Sequence, residues 1–112
     1  MDCVFCQIVA GEIPAQKVFE NDRVLAFHDI TPAAERHYLI IPKQHIESAL
    51  HFDEGNAGLV SDLYLAAKDI AKRENIPGYK LQMNVGKEGG QVVMHVHLHF
   101  IAGNWLSDKK TV

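Results

Sequence analysis

Three histidines separated by single apolar residues constrain this chain more than any other feature. The segment reads His95-Val96-His97-Leu98-His99 and is flanked by further apolar residues. Side chains alternate between the two faces of a β-strand. A strand over 92–101 therefore places all three histidines on one face and the apolar residues on the other. The pattern predicts the longest strand of the chain, with its apolar face packed on a helix and its histidines facing a cleft or solvent.

Histidines at this spacing, about 6.6–6.8 Å apart along a strand, have three chemical interpretations. They form a polar solvent-facing surface, they chelate a metal ion, or they carry out nucleophilic and acid catalysis at phosphorus. Imidazole suits the last role because it titrates near neutral pH, so one ring can attack while another donates a proton. The preceding loop contains Gly86, Gly89 and Gly90. This loop is either a plain hairpin turn or an anion site built from backbone N–H groups, and together with the histidines it favours phosphorus chemistry.

Periodicity along the rest of the chain predicts an α+β fold. A short helical segment over 1–10 ends at Gly11, and segments 16–20 and 24–29 flank an Asn-Asp turn as a β-hairpin. A buried strand over 37–41 ends at Pro42, and another strand is expected over 79–85. Between them lies a long helix, whose apolar residues recur every three or four positions: Val60, Leu63, Tyr64, Ala67, Ile70 and Ala71. We expect an antiparallel sheet packed against this helix.

Composition limits the size and the partners of the fold. With 112 residues, 47% of them hydrophobic, the chain predicts a single domain over 1–112 with a loose tail over 103–112. Its net charge of −3 argues against binding to the nucleic-acid backbone. The sequence contains no run of 18 apolar residues, which is the length needed to cross a membrane. No secretory signal is recognisable at the start. We therefore expect a cytoplasmic protein that binds neither nucleic acid nor membrane.

Two cysteines near the start have the spacing of a ligand pair. Cys3 and Cys6 are separated by two residues. In a reducing compartment they are metal ligands, a redox pair or two free buried thiols. Two ligands do not complete a tetrahedral site, so a metal would need two histidines in addition. The candidates are His28, His45, His51 and His95.

The stretch from Gly89 to Ile101 resembles the signature of the histidine triad family, in which three histidines alternate with apolar residues. Segments 11–15, 25–30 and 37–43 resemble the nucleotide-binding branch of that family. The resemblance implies an α+β fold and a homodimer with one sheet running across both subunits. It also implies hydrolysis of nucleoside 5′-phosphoramidates, with a purine nucleotide as substrate. A dinucleoside polyphosphate hydrolase and a zinc-stapled nucleotide-binding scaffold are the alternatives.

The resemblance also implies roles for individual residues. His97 matches the nucleophile, His99 the group that contacts the phosphate and assists proton transfer, and His37 an upstream histidine that supports the triad. Asp29 matches the acid that holds the ribose hydroxyls. The implied base pocket contains Phe5, Ile8, Phe27 and Ile30, and the implied phosphate cradle contains Asn84, Gly90, Gln91 and Val92. Many relatives carry Ser or Thr in place of Val92, so one phosphate contact is missing here.

A zinc site is implied by the same resemblance. Some bacterial members of the family, and the related uridylyltransferases, bind zinc through a cysteine pair, a histidine after the central strand and the first histidine of the triad. Those positions are Cys3, Cys6, His45 and His95 here. The zinc would be structural, and the chemistry would need no divalent metal. This arrangement leaves the other two triad histidines for catalysis.

Overall fold

A five-stranded antiparallel sheet forms the centre of the structure, a computed structural model that describes residues 3–106. Two helices and five strands follow one another along the chain: α1 (Val4–Val9), β1 (Lys17–Glu20), β2 (Val24–His28), β3 (Ala34–Pro42), α2 (Gly58–Arg73), β4 (Lys80–Gln82) and β5 (Leu98–Trp105). The strands are arranged in the order β1-β2-β3-β5-β4. The predicted α+β architecture, an antiparallel sheet with one long helix, is confirmed.

The long helix α2 covers one face of the sheet. Its buried residues pack with Tyr38, Ile40, Leu98 and Phe100 in the larger apolar core. The predicted apolar face of the helix is correct at four positions and wrong at two. Tyr64 is half exposed and Val60 is only partly buried, while the helix buries a different set: Leu59, Leu63, Ala66, Ala67, Ile70 and Ala71.

The short helix α1 covers part of the opposite face. Phe5 and Ile8 pack there in a second apolar core with strand residues Leu25, Phe27, Leu39 and Ile41. Side-chain alternation along β3 explains the two cores, because even-numbered residues face α2 and odd-numbered residues face α1. His37 and His99 lie on the α1 face, since each pairs across the sheet with an apolar residue of that face. The site described below is therefore built on the face that α1 covers.

The strand predicted over 92–101 begins later than expected and is not the longest. β5 starts at Leu98, which pairs with Ile40, and β3 is the longest strand with nine residues. The same register would next place His97 opposite Ile41 and then Val96 opposite Pro42, which has no N–H to donate. Its carbonyl instead accepts a hydrogen bond from His95 Nε2 at 2.8 Å. Residues 91–97 therefore run outside the ladder with a bend at 93–95, and a bond of 2.8 Å from Val96 N–H to the Ile46 carbonyl holds the segment.

At its other end β5 continues beyond the predicted boundary. The tail expected to be loose from 103 is wrong for its first three residues, because β5 extends to Trp105 and pairs there with Ala34. Gly103 has a φ of +82°, and a Cβ at this position would lie 2.9 Å from Glu35 Cβ. The next N–H, that of Asn104, donates to the Glu35 carboxylate at 2.7 Å. Residues 107–112 of the predicted tail lie outside the described residues.

The other predicted segments match with small changes in their bounds. The hairpin β1–β2 is present, and the predicted strand over 79–85 is reduced to Lys80–Gln82. Helix α1 lies inside the predicted segment and is capped by the Cys3 thiol, which accepts a hydrogen bond from the Cys6 N–H at 3.3 Å. Within residues 3–106, no helix combines the length and the apolar character needed to cross a bilayer.

Candidate active site

The three triad histidines are buried. His95 and His99 have no exposed surface and His97 is 2% exposed, so of the two expected locations, a cleft or solvent, the structure excludes solvent. Although His95 and His97 precede β5, their rings remain on the α1 face because both contact the Phe5 ring, at 5.8 and 5.3 Å between centroids. The His97 and His99 rings are 5.1 Å apart. Each ring is oriented by a different set of hydrogen bonds.

His97 has one ring nitrogen bonded and one without a partner. Its Nδ1–H donates to the His95 carbonyl at 2.7 Å. That bond requires the hydrogen on Nδ1 and leaves Nε2 with its lone pair. Nε2 is buried and has no hydrogen-bond partner within residues 3–106. An unsatisfied buried acceptor is costly, and Nε2 is the His97 nitrogen whose lone pair is available for nucleophilic attack.

His37 and His99 form a hydrogen-bonded pair. The Ala33 N–H donates to His37 Nδ1 at 3.0 Å, so the neutral His37 ring carries its hydrogen on Nε2. His37 Nε2 lies 2.9 Å from His99 Nδ1 and donates to it. His99 therefore carries its own hydrogen on Nε2. The geometry makes His97 Nε2 an acceptor and His99 Nε2 a donor, side by side.

Asp29 lies next to this pair. It is 8% exposed, and its Oδ1 accepts the Thr31 N–H at 2.8 Å and the Thr31 hydroxyl at 3.2 Å. Its Oδ2 lies 3.4 Å from His37 Nε2 but forms no hydrogen bond within residues 3–106. Ligand-type atoms of Asp29, His37 and His99 lie within 4.8 Å of one another. Both His37 ring nitrogens are used in hydrogen bonds, to Ala33 and to His99. We therefore interpret this group as a hydrogen-bonded network and not as a metal site.

A cavity of about 990 Å³ has Phe5, which contacts the His97 ring, in its wall, although the three triad histidines themselves do not line it. Five of the nine residues predicted to bind nucleotide line it: Phe5, Ile8, Phe27, Asp29 and Ile30. Ile30 is 95% exposed and lies at the rim. Sequence reasoning missed several lining residues, among them Leu39, Gln16 and Thr31. Leu39 could be found only from register, because it faces the cavity as the cross-strand partner of Phe27.

The other four predicted nucleotide-binding residues lie in and around the glycine-rich loop and do not line this cavity. Gln91 is buried, and its side chain bonds the Glu47 carbonyl at 2.7 Å, the Val93 carbonyl at 2.9 Å and the Gly86 N–H at 2.9 Å. Gln91 therefore fixes the loop through its side chain. Asn84 Nδ2 donates to the Gly90 carbonyl at 3.3 Å, and Val92 is 69% exposed.

All four predicted metal ligands lie close together in the structure. Atoms of Cys3, Cys6, His45 and His95 all lie within 4.8 Å of one another. The Cys3 and Cys6 sulfurs are 3.3 and 3.6 Å from His95 Nδ1, and the two histidine Nδ1 atoms are 3.2 Å apart. A tetrahedral zinc with its usual bond lengths separates sulfur and nitrogen ligands by about 3.6 Å and two nitrogens by about 3.3 Å. The cluster can hold a metal ion, and its dimensions fit zinc.

A hydrogen bond to His95 determines which of its ring nitrogens can bind a metal. His95 donates its Nε2–H to Pro42, which leaves the Nδ1 lone pair directed at the cysteines. Metal-binding histidines commonly donate their other N–H in this way. Burial lowers the pKa of the His95 imidazole, which favours the neutral form that a metal requires. The other histidines considered are exposed, and His51 and His28 lie outside the cluster.

Comparisons with known proteins agree with this geometry. A family model described as scavenger mRNA decapping enzyme C-term binding matches residues 2–111. The chain superposes on a HIT family hydrolase from Legionella pneumophila Philadelphia 1 with a TM-score of 0.88 and 42% identity, covering 96% of this chain and 97% of the other. The chain belongs to the histidine triad family.

Other histidine triad proteins are equally similar. A histidine triad protein from Clostridium difficile has a TM-score of 0.90 and 41% identity over 98% of this chain and 97% of its own. Protein HitA of Neisseria gonorrhoeae is 43% identical over 101 residues, which are 89% of this chain and 94% of that protein. The similarity therefore covers nearly the full length of this chain and of each relative.

Proposed function

We propose that this histidine triad protein hydrolyses nucleoside 5′-phosphoramidates through a nucleotide bonded covalently to His97. The observation that carries the proposal is that the neighbouring His97 and His99 rings have opposite hydrogen-bonding characters at Nε2. The lone pair of His97 Nε2 is held in place by the bond from Nδ1 to the His95 carbonyl, beside a His99 ring whose Nε2 carries a hydrogen. The hydrolase named among the similar structures supports the reaction class.

In the first step His97 Nε2 attacks the α-phosphorus and forms an N–P bond. The P–N bond to the leaving amine breaks, and its electron pair stays on the amine nitrogen. That nitrogen takes a proton from a water molecule that accepts a hydrogen bond from His99 Nε2–H, so the His99 ring stays neutral. In the second step the resulting hydroxide attacks phosphorus and breaks the His97–phosphorus bond, releasing the nucleoside monophosphate. Separating the reaction into two displacements is the usual purpose of a covalent intermediate.

The cavity suits the nucleoside part of such a substrate. Phe5, Ile8 and Phe27 give it apolar walls on which a purine can pack, and Asp29 is the carboxylate among its lining residues. A carboxylate accepts hydrogen bonds only, which matches a pair of ribose hydroxyls. A cavity of about 990 Å³ has room for a purine nucleoside.

We further propose that the metal is a structural zinc bound by Cys3, Cys6, His45 and His95. All four positions are occupied by protein ligands, so no open site remains for a substrate. The zinc would stabilise the attachment of α1 to the sheet. It would not take part in phosphoryl chemistry, which needs no added divalent metal.

The test is a comparison of two substrates with one variant. Adenosine 5′-phosphoramidate should be cleaved to AMP and ammonia faster than diadenosine tetraphosphate is cleaved. In His97→Asn, turnover should collapse by a factor of about 10⁴ or more while AMP affinity changes little, because the lost interaction forms only in the transition state. Wild type quenched in mid-reaction should carry an acid-labile nucleotide on the peptide containing His97. Preferred cleavage of the tetraphosphate would favour a dinucleoside polyphosphate hydrolase, and AMP binding without turnover would favour a binding scaffold.

We also propose that the chain is a homodimer. Tyr64 and Leu65 on α2 and Trp105 at the end of β5 are each at least half exposed. Strand β4, Lys80–Gln82, stands at the edge of the sheet with one row of backbone groups available for pairing. A second copy could cover these apolar side chains and extend the sheet at the same time.

A further inference from the structure

We infer that Asp29 is a positioning residue for catalysis, which couples recognition of the sugar hydroxyls to the orientation of the His99 N–H through His37. This inference rests on the proposed function. It goes beyond a binding role for Asp29, because it predicts that the sugar hydroxyls of the substrate raise kcat as well as lower KM.

The first step concerns the single hydrogen that His37 has available. Ala33 N–H occupies His37 Nδ1, so a neutral His37 carries one N–H, on Nε2. Two acceptors lie near that hydrogen. His99 Nδ1 is 2.9 Å from Nε2, and Asp29 Oδ2 is 3.4 Å from the same atom. The two acceptors therefore compete for one donor.

The second step concerns the strength of the competition. All three side chains are at least nine-tenths buried, so water screens the Asp29 charge only weakly. Oδ2 forms no hydrogen bond within residues 3–106, whereas Oδ1 is held by Thr31. In the absence of substrate, His37 keeps its 2.9 Å bond to His99, but the Oδ2 charge 3.4 Å away attracts the same hydrogen and weakens that bond. The hydrogen of His99 is then held less firmly on Nε2.

The third step concerns the substrate. Asp29 lines the cavity proposed to hold the nucleoside. A sugar hydroxyl that donates to Oδ2 satisfies the carboxylate and weakens its attraction for His37. The His37 N–H then bonds His99 Nδ1 fully, and His99 directs its Nε2–H at the phosphoryl group. Binding of the correct sugar thereby orients the His99 N–H that assists proton transfer to the leaving amine.

The experiment uses adenosine 5′-phosphoramidate and its 2′,3′-dideoxy analogue with three forms of the protein. In wild type, removal of the hydroxyls should raise KM and also lower kcat about 3- to 10-fold, the value of one hydrogen bond. In Asp29→Asn the competing charge is absent, so kcat should be equal for the two substrates and higher than wild-type kcat on the dideoxy substrate. In His37→Gln the connection is broken, so kcat should again be equal for the two substrates but low for both.

A second readout follows the tautomer directly. In ¹⁵N spectra of the histidine rings, AMP should increase the fraction of His99 protonated at Nε2, and 2′,3′-dideoxy-AMP should not. The inference is overturned if removal of the sugar hydroxyls changes only KM and leaves kcat unchanged. It is also overturned if the His99 spectra are equal with both nucleotides. Either result leaves the proposed function intact. Failure of AMP to bind would overturn both. Binding with the expected tautomer shift but without turnover would overturn the proposed function alone.

Discussion

Loss of the cysteine pair should detach helix α1 and remove one wall of the nucleotide cavity. The perturbation is the double substitution Cys3→Ala with Cys6→Ala, which removes two of four ligands at once. Helix α1 has six residues, and helices this short are not stable by themselves in water. Its attachment to the sheet therefore depends on buried side chains and on the metal.

The magnitudes show which of the two contributions decides. Ordering the backbone of residues 3–10 costs about 8–16 kcal/mol, at about 1–2 kcal/mol for each residue. Burial of Phe5 and Ile8, the fully buried side chains of α1, returns about 3–6 kcal/mol. At the middle of these ranges, the few hydrogen bonds of the helix, at about 1 kcal/mol each, leave a deficit of a few kcal/mol. The metal must supply the rest, so without it α1 should leave the sheet.

Five measurements check the expectation. Metal analysis should give one zinc per chain for wild type and none for the variant. The melting temperature should fall by about 10 °C or more, since about 3 kcal/mol corresponds to that shift in a domain of this size. Amide hydrogens of residues 4–9 should exchange freely. AMP affinity should fall about tenfold or more because Val4, Phe5 and Ile8 line the cavity, while some turnover remains because His97 and His99 are unchanged.

His51→Ala is the matched control, because His51 is an exposed histidine outside the ligand cluster. It should keep the zinc, the melting temperature and the AMP affinity of wild type. The reasoning is refuted if the double variant retains one metal per chain. It is also refuted if the variant loses the metal while the amides of α1 stay protected and AMP affinity is unchanged.

Three further outcomes are expected. Gln91→Ala should destabilise the chain by about 2–3 kcal/mol, because it removes the three hydrogen bonds that the buried Gln91 side chain makes, and urea unfolding measures this; a loss below 0.5 kcal/mol would contradict the role given to Gln91. Light scattering at micromolar concentration should give about twice the chain mass of 12.5 kDa, and Trp105→Ala should shift the protein towards monomer; a wild-type mass equal to one chain excludes the dimer. His28→Ala, at an exposed residue of the cavity rim, should change AMP affinity less than Phe27→Ala, as calorimetry can show.

The amino-acid sequence determined the architecture and the set of chemical groups. The helix α2 follows from its apolar period, the hairpin from its Asn-Asp turn, and the histidine segment from its alternation. Cys3, Cys6, His45 and His95 follow from the family resemblance, and the structure brings them together. These features are local patterns or motifs, which can be recognised without knowing what packs against them.

Tertiary structure decided what each histidine can do. Alternation predicted three equivalent rings, but Pro42, His95 O and His37 each bond a different one. These partners come mostly from distant parts of the chain, and they fix which ring nitrogen carries the hydrogen. The start of β5 was misjudged for the same reason, because Pro42 ends the ladder from the neighbouring strand. Register and tautomer depend on contacts across the sheet, and a pattern along one segment contains no information about them.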